Sequence, residues 1–143
     1  MIKPGKPRKA AGRDALVGTW KLVSADNFID GKWKPYSFGN PPSGYFIYDS
    51  NGHVSVQIMF TPPVKLAKAD APTPAEALAI FNRYIAYYGT WSVEGNILHQ
   101  QVEGGLDPSQ VGTDQPRPFE LKDADTLIIG DQVTYRRTLK RVG

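Results

Sequence analysis

The 143 residues are 41% hydrophobic and 22% charged and contain no cysteine, which excludes a disulfide framework, a thiolate nucleophile and any cysteine-based metal site. The length suits one domain that closes its own core, and no apolar run approaches the roughly 18 residues of a membrane span. The net charge of +3 is no nucleic-acid footprint. Lys3, Lys6, Arg8, Lys9 and Arg13 supply five of the 17 basic residues before the first acidic one, leaving 12 against 14 acidic residues in the body.

Residues 1–13 are therefore expected to form a basic, flexible tail, and residues 14–143 a single domain. The tail has no apolar stretch of the kind a secretory leader carries. With the missing cysteines, this points to a cytoplasmic protein without a membrane partner. RNA-binding aromatic signatures and zinc spacings are absent, so no nucleic-acid partner is expected.

In chain order, LVGTWKLVSADN (16–27) alternates as a strand does, and Asp30-Gly31 marks the turn that ends it. SFGNPPSG (37–44) is a loop. Residues 44–60 form one hairpin, with Asn51-Gly52 as its two-residue turn. Residues 61–73 have no usable period and several prolines. Thr73-Pro74-Ala75-Glu76 starts a helix, with a capping threonine, proline at the first position and glutamate three residues on. Leu78, Phe81, Ile85 and Tyr88 extend it as one apolar stripe over about three turns, and Gly89 stops it. TWSV and ILHQQVEG form a second hairpin around Glu94-Gly95-Asn96. QPRPFEL, TLIIG and VTYRRTLKR complete the strands, the last two joined by a Gly130-Asp131 turn. About eight short strands and a single helix argue for a mainly-β barrel or sandwich. An eight-stranded barrel has an interior just wide enough for side chains or one small ligand.

Gly18-Thr19-Trp20 in the first strand and Arg136-Arg137 in the last form the Gly-x-Trp plus distal arginine pattern of lipocalins. Together with LVGTWKLVS, GYFIYDSNGHVSVQ, YIAYYGTWSV, VEGGLDPSQVGTDQPRPFEL and TYRR, spread over residues 16–137, they make the chain resemble the bacterial and fungal lipocalin-like domain family. The resemblance implies an eight-stranded antiparallel up-and-down barrel with a central cavity, the one α-helix lying near its mouth. Barrels similar in architecture serve as small-molecule carriers, and others as isomerases or pericyclic cyclases. One position departs from the family: Gln100-Gln101 stands where a histidine pair often precedes the Val-Glu, and His99 falls one residue earlier.

Candidate site residues follow from parity and from the resemblance. Arg137 shares parity with Val133, Tyr135 and Leu139, so it is expected to turn inward and cover the Trp20 indole as a structural plug. In VGTDQPRPFEL the apolar residues fall on odd positions, which places Gln115, Arg117 and Phe119 inward. An inward arginine needs a partner: either Glu103 or an anionic or carbonyl-bearing ligand. In HVSVQIMF a simple barrel turns Val54, Val56 and Ile58 inward, whereas the resemblance favours Ser55 and Gln57 as cavity residues. Tyr45 and Gln101 join the candidate ligand contacts. Tyr88, on the expected helix, either seals it to the barrel or reaches the cavity as part of a lid; Tyr84 and Tyr87 are read as packing. His99 could serve as acid or base only with a proton in reach and a group to orient it.

Two functions stay open. One is binding of a small, largely hydrophobic molecule in the cavity. The other is a cofactor-independent isomerase or cyclase acting on a polyketide- or terpenoid-like substrate through Tyr88, His99 or Arg117. No cofactor or metal is expected, because phosphate-binding glycine motifs, a Gly-x-Ser-x-Gly elbow and metal-ligand spacings are all missing.

Overall fold

The computed structural model describes residues 12–143; most of the expected tail lies outside the described residues. The elements are α1 (Arg13–Leu16), β1 (Gly18–Ile29), β2 (Lys32–Pro35), β3 (Ser43–Tyr48), β4 (His53–Met59), α2 (Pro74–Asn82), β5 (Tyr84–Glu94), β6 (Ile97–Gly105), a 3-10 turn (Pro108–Gln110), β7 (Arg117–Asp123), β8 (Thr126–Ile129) and β9 (Tyr135–Arg141). Neighbouring strands run antiparallel in the order β2-β1-β3-β4-β5-β6-β7-β8-β9, and β1 also pairs with β9. Eight strands therefore close a barrel, with β2 as an extra strand beside the second half of β1. A bulge between Leu22 and Ser24 interrupts the β1–β9 ladder, the kind of irregularity that bends and twists a strand. Among the described residues, no helix is long and apolar enough to cross a membrane.

The Asp30-Gly31 turn is as expected, with φ of 52° and 78°. The next hairpin differs. Asp49 and His53 are its last pair, joined by Asp49 N–H donating to the His53 carbonyl at 2.9 Å, so three residues form the loop rather than two. The Asp49 carboxylate accepts from the backbone N–H of both Asn51 (2.9 Å) and His53 (2.8 Å). That side-chain turn draws Asn51 into the arc and leaves only Gly52, at φ 93°, in the left-handed region.

Helix α2 starts as its sequence dictates, with a complete Thr73–Glu76 capping box and Pro74 in the first turn. It ends at Asn82, six residues before Tyr88. The residues beyond it form β5, which pairs β4 from Tyr84 to Thr90 and β6 from Tyr87 to Glu94. A helical stripe through Ile85 and Tyr88 competes here with a period-two set of Ile85, Tyr87, Gly89 and Trp91. Two ladders of backbone hydrogen bonds and an inward-facing indole favour the strand. α2 buries none of its side chains, and Leu78 is 61% exposed.

One end of the barrel interior is filled. Leu16, Trp20, Leu22, Tyr48, Trp91, Leu98 and Leu139 are all buried there, under α1 and the β3–β4 turn. The Trp20 indole N–H donates to the Leu16 carbonyl at 2.9 Å, and that of Trp91 to the Asp49 carbonyl at 3.0 Å. Tyr48 meets Trp91 edge-on with ring centroids 5.1 Å apart. The arginine over Trp20 is Arg141, 4.3 Å from the ring centre, and Arg137 lies elsewhere. Register explains the correction: antiparallel pairing sets Trp20 opposite Arg141 and Ala25 opposite Arg137. Arg13, assigned above to the tail, belongs to the folded body. It lies over Trp91 at 4.8 Å and donates to the Ser50 carbonyl.

Candidate functional site

Beyond the plug the interior opens into a cavity of about 600 Å³, within the roughly 300–1,000 Å³ of small-molecule sites. Its apolar wall comes from alternate strand positions: Phe46 of β3, Val56 and Ile58 of β4, Ile85 and Tyr87 of β5, and Ile129 of β8, with Phe38 from the β2–β3 loop. Polar groups reach it from Asn27, Gln100, Gln110, Gln115, Arg117, Thr134 and Arg137. Among the described residues, none of the lining side chains is acidic.

Gln100 marks the boundary between plug and cavity. It is 2% exposed, accepts from the Tyr48 hydroxyl at 3.1 Å and donates to the Gln115 carbonyl at 3.3 Å. The backbone of the segment before β7 is thereby held against β6. Burial raises the Tyr48 pKa well above the ordinary phenol value. Burial likewise pushes Tyr87 up to about 12, outweighing the nearby positive charge of Arg117. Both phenols therefore stay protonated near neutral pH.

The two cavity arginines are held by neutral partners. Arg117 donates to the Pro116 carbonyl at 2.7 Å and to the Gln115 side-chain oxygen at 3.3 Å. It takes part in none of the ion pairs among the described residues. Glu103, the expected partner, is exposed on the outward-facing set of β6. Arg137 uses one nitrogen, Nη1, for the Asp26 carbonyl (3.1 Å), the Asn27 side-chain oxygen (2.8 Å) and the Arg136 carbonyl (3.2 Å). Its guanidinium lies 4.6 Å from the Tyr36 ring centre, 5.0 Å from Phe38 and 5.1 Å from Tyr135. Burial lowers its pKa, and Arg117 adds to that effect by repulsion. The turn presenting Tyr135 is organised by Asp131, whose carboxylate accepts from the N–H groups of Val133, Thr134 and Tyr135. The Thr134 hydroxyl, donating to the same carboxylate at 2.6 Å, and then those backbone bonds hold its pKa far below the usual carboxylate range.

Of the residues expected from sequence, Gln115 and Arg117 line the cavity, while Phe119 faces inward but is buried in the core beside it. Tyr45, Ser55, Gln57, Tyr88 and Gln101 point outward. Tyr45 is 46% and Tyr88 56% exposed. Pairing brings Tyr45 beside Gln57 and Ser55 beside Tyr88 on the outer face, where the Tyr84 hydroxyl donates to Gln57 at 2.8 Å. Because side chains alternate, each misplacement is a one-residue shift: Phe46 replaces Tyr45 in the interior, Val56 replaces Ser55 and Gln57, Tyr87 replaces Tyr88, and Gln100 replaces Gln101. The signal for Gln100 is present in the sequence, since it shares parity with Leu98 and Val102.

His99 is also outside. Its Nδ1 lies 2.7 Å from an Asp114 carboxylate oxygen and its Nε2 3.1 Å from Glu94. Asp114 has the orienting position that an acid–base histidine requires, but no cavity group is on the other side of the ring. The arrangement ties the loop before β7 to the barrel. The Asp114 hydrogen bond and charge, followed by those of Glu94, raise the His99 pKa above 6.5 despite an opposing desolvation effect. A raised imidazole pKa gives stabilisation that is complete below the unfolded value and fades as pH rises through the folded one. The stability difference between wild type and His99→Gln, followed by urea unfolding across pH 5–9, should therefore be largest at the acid end and shrink above about pH 6.5. A difference that grows toward alkaline pH would contradict this.

A family model described as a lipocalin-like domain matches residues 17–140. A lipocalin-like protein from Bacteroides uniformis superposes with a TM-score of 0.53 at 10% identity, covering 90% of this chain and 99% of that one. An uncharacterized protein from Bacteroides eggerthii does so with a TM-score of 0.50 at 10% identity, covering 88% and 98%. These likenesses extend to the fold alone. No curated protein matches the sequence.

Proposed function

The chain belongs to the lipocalin-like domain family, and from that premise we propose that it binds a small, largely hydrophobic molecule inside the barrel. The observation that carries this reading is the cavity of about 600 Å³, with an apolar wall and a few polar groups converging on it. The plug seals the other end, so a ligand enters at the loop end, where the lining residues Phe28 and Thr134 are exposed.

The test is fluorescence titration with Nile red, a neutral apolar dye, beside a thermal-shift screen of small hydrophobic compounds. A compound at a hundred times its Kd adds about 2.7 kcal/mol of stability, a rise in Tm of roughly 5–10 °C at this chain length. Ile85→Trp, which narrows the cavity at a partly exposed position of its wall, should weaken dye binding, and Tyr88→Ala should not. The reverse pattern would move binding to the outer tyrosine face and sink the cavity reading.

A second reading, a cofactor-independent isomerase or cyclase, draws on the Tyr87 phenol. Held protonated at neutral pH in the cavity wall, it suits donation to an oxygen on which negative charge develops. Outside placement of His99 and Tyr88 removes two of its three expected residues and leaves Arg117. Recovery of every bound compound chemically unchanged would count against catalysis.

A further inference from the structure

We propose that the ligand is an apolar molecule bearing a carboxylate, and that Arg117 and Arg137 together receive that group; this rests on the cavity-binding reading above. Four observations carry it. Two guanidinium groups line one cavity whose wall has no acidic side chain among the described residues, and among these neither has a carboxylate partner. Asp26, the nearest candidate, turns its side chain to Arg136 at 3.4 Å and offers Arg137 only its backbone carbonyl. Both arginines are half-buried, and a partly desolvated charge left with neutral acceptors is a costly arrangement that an incoming anion relieves.

The second observation is the geometry of Arg137. Aromatic rings of Tyr36, Phe38 and Tyr135 surround its guanidinium within about 5 Å. All three of its hydrogen bonds use Nη1, so Nε and Nη2 donate to no described residue. The rings hold the planar group in place while leaving donors at its edge, where a carboxylate makes paired hydrogen bonds. Third, the groups around the arginines do not neutralise them. Asn27, Gln100 and Gln115 are amides already engaged with protein partners, and Tyr87 remains a protonated phenol. Fourth, Phe46, Val56, Ile58 and Ile129 form an apolar wall around the rest of the cavity. An amphipathic acid matches this division, its chain or ring on the apolar wall and its head on the guanidinium pair. A neutral hydrocarbon would leave both half-buried charges without an anionic partner.

The experiment compares decanoate with decanol, two compounds of equal chain length, by calorimetric titration of the full chain. Wild type should bind the acid roughly 10–100-fold more tightly than the alcohol, the range expected for hydrogen bonds to a charged group. Arg117→Met and Arg137→Met should each remove most of that preference and leave decanol affinity within about twofold. Because Arg137 also ties β9 to β1, Arg137→Lys is measured as well. It keeps the charge without the planar fork, and should retain the fold and lose part of the preference. If acid and alcohol bind wild type equally, the carboxylate assignment falls and the cavity reading stands. If neither compound binds, the cavity reading itself falls. An acid preference that survives Arg117→Met in full overturns the two-arginine assignment.

Discussion

Trp20→Ala should lower unfolding free energy by about 3–5 kcal/mol, the range for removing a buried indole, and urea unfolding monitored by circular dichroism measures it. Trp20 is fully buried, and its indole joins three parts of the plug. It donates to Leu16 of α1, packs within the core, and carries Arg141 on its face at 4.3 Å. Arg141 in turn donates to the Val17 carbonyl at 2.6 Å, to Ala15 at 2.8 Å and to Ala124 at 3.0 Å. Removing the indole leaves that guanidinium without its stacking surface, a contact of about 0.5–2 kcal/mol. A double-mutant cycle should therefore show coupling between Trp20→Ala and Arg141→Met and none between Trp20→Ala and Arg137→Met. Coupling to Arg137 instead would mean that the β1–β9 register is displaced. A loss of several kcal/mol is a large share of the 5–15 kcal/mol by which domains are ordinarily stable.

Gly89→Ala is expected to damage the fold at or above the top of the roughly 1–3 kcal/mol that overpacking costs. Gly89 sits at the register shift in the β5–β6 ladder. A methyl group there would run into the Gln101 carbonyl oxygen and lie 3.0 Å from the Glu103 nitrogen. Both obstacles are backbone, so no side-chain rotation relieves them, and the two strands would have to separate. Gly95→Ala is the matched control. Gly95, in the next turn, has a φ of 62° and nothing within 4 Å of an added methyl, so its cost is the conformational 1–2 kcal/mol or so of a left-handed residue. Comparable midpoints for the two variants would show that the strands at Gly89 have room to spare.

Gly89 also shows why part of the fold was legible and part was not. As a punctuator after Tyr88 it fits a helix end, and Leu78, Phe81, Ile85 and Tyr88 have helical spacing. The same residues fit a strand if Ile85, Tyr87 and Trp91 are taken together. Only the partners on either side, β4 and β6, decide, and they are remote in sequence. The capping box at Thr73 is local chemistry and was readable, as were the Asp30-Gly31 and Gly95-Asn96 turns. The count of about eight barrel strands was readable too, because tight turns require neighbours to pair; the residues left barrel and sandwich both open, and closure was implied by the family resemblance.

Facing was legible where only one side of a strand is apolar. Phe119 on one parity and prolines on the other correctly turned Gln115 and Arg117 inward. In β3, Tyr45 and Ile47 alternate with Phe46 and Tyr48, so both faces look apolar and alternation alone says little. In β4 the valine-isoleucine set pointed the right way, while the resemblance favoured Ser55 and Gln57 on the outside. Arg137 was recognised as inward, but which indole or cavity it meets depends on the offset between β1 and β9. That offset, with Trp20 opposite Arg141, is fixed by pairing between strands at the two ends of the chain, and a one-residue bulge between Leu22 and Ser24 then shifts Arg137 opposite Ala25.

Closure of the barrel leaves β2 as the one strand among the described residues with a single neighbour. Its four residues are Lys32, Trp33, Lys34 and Pro35. An open strand edge is where another chain can add itself and begin an aggregate, and shortness, lysines and proline are the features that blunt such an edge. Trp33, the apolar residue of the four, is drawn back toward the body by Phe28, with ring centroids 5.4 Å apart, and by Arg136 at 4.1 Å. The strand that escapes the barrel is thus the one whose side chains oppose sheet growth from molecule to molecule, a safeguard at the high local concentrations met during synthesis.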